Sequence, residues 1–143
     1  MPYNAASPVR RQKHEVDVPD TGWSDPQGFA LGSGGMLVRS TLRAPAGSTV
    51  TEVDLLVWVG PEELPPGFDP STVPEEDRIL DRQGVAVTGS AVVADDDFHL
   101  ESVGVAAPFD SPFGQRLWGA IKAETASAAQ DGVVWALTAK EAL

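Results

Sequence analysis

Val50-Thr-Glu-Val-Asp-Leu-Leu-Val-Trp-Val59 is the stretch on which the fold turns. Val53, Leu55, Val57 and Val59 fall on one side of an extended chain, and Glu52, Asp54, Leu56 and Trp58 on the other, the two-residue period of a β-strand with one buried face. The second face turns apolar towards its end. A strand of that kind runs from a wet edge into contact with something else, so Trp58 is expected under the N-terminal arm, a loop or a neighbouring chain.

Working outward, the same period recurs. Met36, Val38 and Leu42 alternate with Arg39, Thr41 and Arg43 ahead of the turn at residues 44–47. Residues 79–80 and 85–93 read as strand material broken by Gly84 and Gly89, and residues 98–105 as another strand after a turn at Asp95, Asp96 and Asp97. Leu117, Gly119, Ile121 and Ala123 alternate with Arg116, Trp118, Ala120 and Lys122; Val133, Trp135, Leu137 and Ala139 alternate with Val134, Ala136, Thr138 and Lys140. These last two strands are expected to form a hairpin, because Asp131-Gly132 closes the connection between them with a strong turn signal. No segment carries the 3.6-residue period of an amphipathic helix. The class is therefore all-β: a β-sandwich of jelly-roll-like form, or a barrel.

Residues 1–26 differ from the rest. Pro2, Pro8, Pro19 and Pro26 among polar and charged residues resist helix and favour an extended path, so this segment is expected to be an N-terminal arm on a single sandwich domain of residues 27–143. A chain of 143 residues fits one domain with one core. The glycines of residues 28–35 predict a flexible turn at the junction. Residues 60–77, with five prolines and Glu62, Glu63, Glu75 and Glu76, predict a long, exposed acidic loop.

Charge bears on partners. The chain holds 21 acidic and 10 basic residues, a formal net charge of −11, which disfavours nucleic acid, whose phosphates require a continuous basic patch. Arg10, Arg11 and Lys13 all precede the first acid, Glu15, so a basic tail is expected on an acidic body. No run approaches the length of about 20 apolar residues that crosses a bilayer, and the first residues lack the apolar centre of a secretion signal. A cytoplasmic site of synthesis is expected.

The usual catalytic arrangements do not emerge. There is no cysteine, hence no disulfide, thiolate site or cysteine nucleophile. His99 and Glu101 sit two apart on one strand face, but the other histidine, His14, lies in the arm, and a zinc or iron site needs three or four ligands. Asp95 to Asp97 lacks the alternating acids and central glycine of a calcium loop. Gly32-Ser-Gly-Gly35 lacks the lysine ending of a phosphate loop, and no Gly-x-Ser-x-Gly elbow occurs. The expectation is a binding protein with no cofactor and no metal. Its candidate partner-binding residues are Arg10, Arg11 and Lys13 in the arm together with Trp23, Trp58 and Trp118. A carbohydrate-binding or receptor-binding sandwich, with Trp58, Trp118 and the loop of Phe109 to Phe113 as stacking platforms, is the alternative.

The arm MPYNAASPVRRQKHEVDVPDTGW, followed by a β body running from GGMLVRSTLRAPAGSTVTEVDLLVWVG to LWGAIKAETASAAQDGVVWALTAKEAL, resembles small virion proteins of tailed phages, of the capsid-decoration or head and tail accessory type. The likeness is one of architecture, and no functional residue is carried over from it. It implies a non-enzymatic subunit of a virion, a homo-oligomer such as a trimer, that docks on a larger protein lattice; head-tail or tail-tube roles belong to the same class.

Overall fold

The computed structural model describes residues 9–45, 52–86, 91–92, 98–110, 114–123 and 129–141. Nine strands are present among them: β1 (Val9–Val18), β2 (Gln27–Phe29), β3 (Gly34–Pro45), β4 (Glu52–Pro61), β5 (Arg78–Ala86), β6 (Ala91–Val92), β7 (Phe98–Asp110), β8 (Gln115–Ala123) and β9 (Gln130–Glu141). They form two antiparallel sheets, a five-stranded sheet in the order β1-β9-β3-β7-β6 and a four-stranded sheet in the order β2-β8-β4-β5. With the two-residue β6 set aside, first pairs with last: β1 with β9, β2 with β8, β3 with β7, β4 with β5. That is the order obtained by rolling up one long folded ribbon, and it makes the sandwich a jelly roll.

The core lies between the sheets. Val53, Leu55 and Val57 of β4 face Trp135 and Leu137 of β9, with Leu37, Phe29, Leu117 and Ile121 around them, all essentially buried. Phe29 meets the Trp135 ring edge-on, centroids 5.2 Å apart, and Trp135 donates its indole N–H to Ser40 Oγ at 2.9 Å, so its one polar atom is satisfied inside the core. Gly119 of β8 sits beneath that ring; a Cβ there would lie 2.6 Å from it.

Four sequence expectations change. Residues 9–18, expected within the arm, are an edge strand laid along β9 from Val9↔Lys140 to Val16↔Val133, and Val16 and Val18 are buried in the core. Val9–Val18 is thus part of the sandwich, and residues 1–8 of the expected arm lie outside the described residues. Second, β8 and β9 are not a hairpin: β8 lies between β2 and β4, β9 between β1 and β3, so the chain crosses from one sheet to the other between them. Gly132, at φ 79°, lies within β9 where the pairing with β1 slips after Val16, the left-handed position of a bulge. Third, β3 reverses its phase. Both of its ladders shift between Leu37 and Arg39, so Leu37 rather than Met36 or Val38 reaches the core, while Leu42 and Ala44 do so beyond the shift. Fourth, half of the junction at residues 28–35 is strand, Gly28 and Phe29 in β2 and Gly34 and Gly35 in β3, with residues 30–33 connecting them.

Candidate binding surfaces

Leu56, Trp58 and Ala120 lie on the outer side of the four-stranded sheet, yet all three are buried. The cover is residues 62–77, the connection between the neighbouring strands β4 and β5, which folds back across the sheet as a strap. Its apolar residues Leu64, Phe68 and Val73 rest on Leu56, Trp58 and Ala120, with Trp23 and Trp118 at the flanks, a second small core outside the main one. Phe68 stacks on Trp58 with ring centroids 5.9 Å apart and planes 21° from parallel. The strap is also tied by polar contacts. Trp118 Nε1 donates to the Pro61 carbonyl at 2.7 Å. Arg78 donates to the Val73 carbonyl through Nε at 3.3 Å and Nη2 at 3.1 Å, while its Nη1 bonds Asp81 at 2.9 Å.

Asp69 caps a 3₁₀ turn of Pro70–Thr72, accepting from the Ser71 amide at 3.0 Å and the Ser71 hydroxyl at 2.8 Å. Those two donors hold its carboxyl below the ordinary value of 3.8. The six acids of the strap, Glu62, Glu63, Asp69, Glu75, Glu76 and Asp77, are all exposed, and the segment contains no lysine or arginine. Between strap and β4 runs a groove of about 340 Å³ lined by Trp58, Leu64, Pro65, Phe68, Val73 and Pro74. The buried Trp58 indole N–H has no acceptor among the described residues.

Where Trp58 was expected to be covered, its cover is the chain's own acidic loop. At 2% exposure, Trp58 offers no face on which a sugar ring could stack. Trp23 and Trp118 are half-buried, each beneath a cation: Lys122 Nζ stands 5.8 Å from the Trp23 ring, and the Arg116 guanidinium 5.6 Å from that of Trp118. Trp23 also bridges to Lys122 through the backbone, and beside it buried Ser24 donates its amide to Ile121 O at 2.7 Å and accepts the Ile121 amide on Oγ at 2.9 Å. Phe109 of the expected aromatic loop is buried, and Phe113 lies outside the described residues.

The basic residues of β1 occupy the other sheet. Arg10, Arg11 and Lys13 are exposed. Inward-facing Gln12 and His14 close the open flank of the sandwich: the Ala30 amide donates to Gln12 Oε1 at 2.5 Å, and His14 Nε2 donates to Gly28 O at 2.6 Å with the ring edge-on to Phe29. Arg11 and Lys13 point to the outer face, where the register sets Arg11 in one row with Thr138 and Arg39, and Lys140 beside Val9 and Met36. Arg43 joins them through Val134, opposite Glu15. Arg11, Lys13, Arg39, Arg43 and Lys140 thereby share one face. The six expected partner residues therefore divide between the two sheets and form no single site, and the cations of β3 and β9 complete a face that the arm reading left out. The wet side of β3, Arg39-Thr41-Arg43, was its sequence signal.

His99 and Glu101 stand opposite Ala44 and Leu42 in the β3–β7 ladder, and their side chains lie outside the description, as do Asp95 to Asp97. Among the described residues no three His, Cys, Asp or Glu side chains gather where a metal could bind, and no helix is long and apolar enough to cross a membrane.

No known protein family matches the chain, and no curated protein does. Among solved structures, the chain is similar to one in a structure of infectious bursal disease virus, Gx strain, at 8% identity and a TM-score of 0.30. The match covers 92% of this chain and 32% of that one, so the chain spans about a third of the length of the protein it matches.

Proposed function

We propose that this chain is a non-catalytic structural subunit that docks on a larger protein assembly, a virion component of the capsid-decoration kind, with a head-tail or tail-tube position as the variant of the same role. The observation that carries the reading is an imbalance of charge between the two sides of the sandwich, acids prevailing on one and cations on the other. The strap over the four-stranded sheet presents six carboxylates and no cation of its own, and these outnumber Arg78, Arg116 and Lys122 on the sheet at its edges. The outer face of the five-stranded sheet presents Arg11, Lys13, Arg39, Arg43 and Lys140, with Glu15 and Asp17 at one margin and Asp110 on β7. Faces of opposite sign on one subunit favour heterologous, front-to-back contacts with its own copies or with an acidic groove on a lattice, and they steer encounter as well as orient it. Jelly rolls serve capsids, lectins and cupins alike, so the fold does not choose among them, and the reading rests on the charged surfaces.

The test is association of the full chain by sedimentation and light scattering at low and at high salt, followed by imaging of the particles. Salt-sensitive association that is lost in a variant combining Arg39→Glu and Lys140→Glu, and equally in one combining Glu75→Lys and Glu76→Lys, supports the reading. A chain that associates with nothing at low salt, or whose association ignores both variants, overturns it.

A further inference from the structure

β1 is the marginal strand of its sheet, and no described strand pairs with its outer side. A ten-residue edge is a hazard, since its unpaired amides and carbonyls invite a second chain, and proteins commonly blunt such edges with charge. Here the charges are ordered. The outer-facing positions of β1 read Val9, Arg11, Lys13, Glu15, Asp17: two cations followed by two anions.

Such a series is complementary to itself in antiparallel register. Antiparallel partners share a face, so a second copy related by a two-fold axis normal to the sheet sets odd positions against odd and even against even. An axis through His14 places Arg11 opposite Asp17 and Lys13 opposite Glu15, and symmetry repeats both pairs. The neighbouring registers fail this test. An axis through Lys13 sets that lysine against its own copy and Asp17 against Val9; an axis through Glu15 sets two glutamates face to face and leaves Arg11 against Pro19. The strand itself suits the pairing, because the slip in the β1–β9 ladder after Val16 is absorbed by an extra residue on β9. Asp17 accepts the Gly132 amide on Oδ1 at 3.3 Å, which holds its carboxylate on that face.

We infer that two copies of this chain join edge to edge through β1, in the register centred on His14, into one continuous ten-stranded sheet held by the cross-strand pairs Arg11–Asp17 and Lys13–Glu15. The contact is isologous, unlike the front-to-back contact of the proposed function, and does not depend on it.

The experiment uses two complementary full-length variants, one combining Arg11→Glu with Lys13→Glu and the other Glu15→Lys with Asp17→Lys, studied by native mass spectrometry and sedimentation equilibrium at low salt. The unaltered chain is expected as a dimer, each variant alone as a monomer with its dissociation constant raised roughly tenfold or more, and the equimolar mixture as a heterodimer. Circular dichroism checks the fold, and the single variants Lys13→Glu and Glu15→Lys repeat the test should the loss of the Asp17 contact unfold the chain. A monomeric unaltered chain, a variant that dimerises as well as the original, or a mixture that stays monomeric overturns the inference. Dimerisation lost in the Arg39→Glu and Lys140→Glu variant but kept in Lys13→Glu overturns it too, while leaving the front-to-back reading in place.

Discussion

Trp118 donates its indole N–H to the carbonyl of Pro61 across 2.7 Å, tying β8 to the last residue of β4 at the point where the strap departs. The bond is made by a half-buried ring with Arg116 above it, so three groups meet at the hinge of the strap. Replacing Trp118 by Phe keeps most of the apolar contact and removes the donor. We expect a loss of about 1 kcal/mol, the net worth of one such bond. Hydrogen exchange should quicken in residues 62–77 and stay unchanged in β9; equal protection in both would show that the bond does not hold the strap.

Gly119→Ala should be far more costly than its size implies. The added Cβ would stand 2.6 Å from two atoms of the Trp135 ring and 2.9 Å from the Phe29 ring, all in the buried interior. Neither ring has room to retreat, since each packs on the other and Trp135 is bonded to Ser40. Overpacking of this kind costs about 1–3 kcal/mol or more, measurable as a lower midpoint in urea with an unchanged slope.

Deleting residues 1–18 should damage the body as well as remove the basic residues. Val16 and Val18 are each 1% exposed, and burial of a valine side chain stabilises by about 1.5–3 kcal/mol. Loss of β1 also bares β9 along its length and exposes Phe29, which His14 shields. Thermal unfolding of the truncated chain should begin well below that of the full chain. A truncated chain of undiminished stability would mean that β1 is not integral to the sheet.

Asp69 gives the strap a dependence on acid. Its carboxyl titrates lower in the folded chain than in the unfolded one, because the Ser71 amide and hydroxyl bond the charged form. A depressed folded value means that the contribution is fully present above the unfolded value near 3.8 and is lost as the pH falls through the folded one. The Ser71 amide resonance should therefore shift below about pH 4, and Asp69→Asn should abolish that shift. Persistence of the shift in Asp69→Asn would assign it to another acid.

Much of the architecture was legible because both faces of a strand leave their mark in its residues. In β4, β8 and β9 one of the two alternating sets read from the sequence, those containing Val53, Leu117 and Val133, is the set packed between the sheets. Partners were not legible, since period two says which way a residue faces and nothing about which strand lies alongside; hence the hairpin expected of β8 and β9, which belong to opposite sheets. β1 escaped notice for a different reason. Its inward positions include Gln12 and His14, polar groups that bond across the flank to Ala30 and Gly28 in place of apolar contact, so the strand lacks the expected stripe. The burial of Trp58 was foreshadowed by the apolar end of β4, but Phe68 as its cover sits in a segment whose prolines and acids read only as a loop.

The strap begins and ends on strands that are already side by side. Its length and charge are consequently decoupled from the wiring of the jelly roll: so long as Leu64, Phe68 and Val73 keep their seats, exposed residues between them can be replaced or extended with the interior left undisturbed. Among the described residues, this interval is thus one place where the surface can be rewritten without rewiring the sheets.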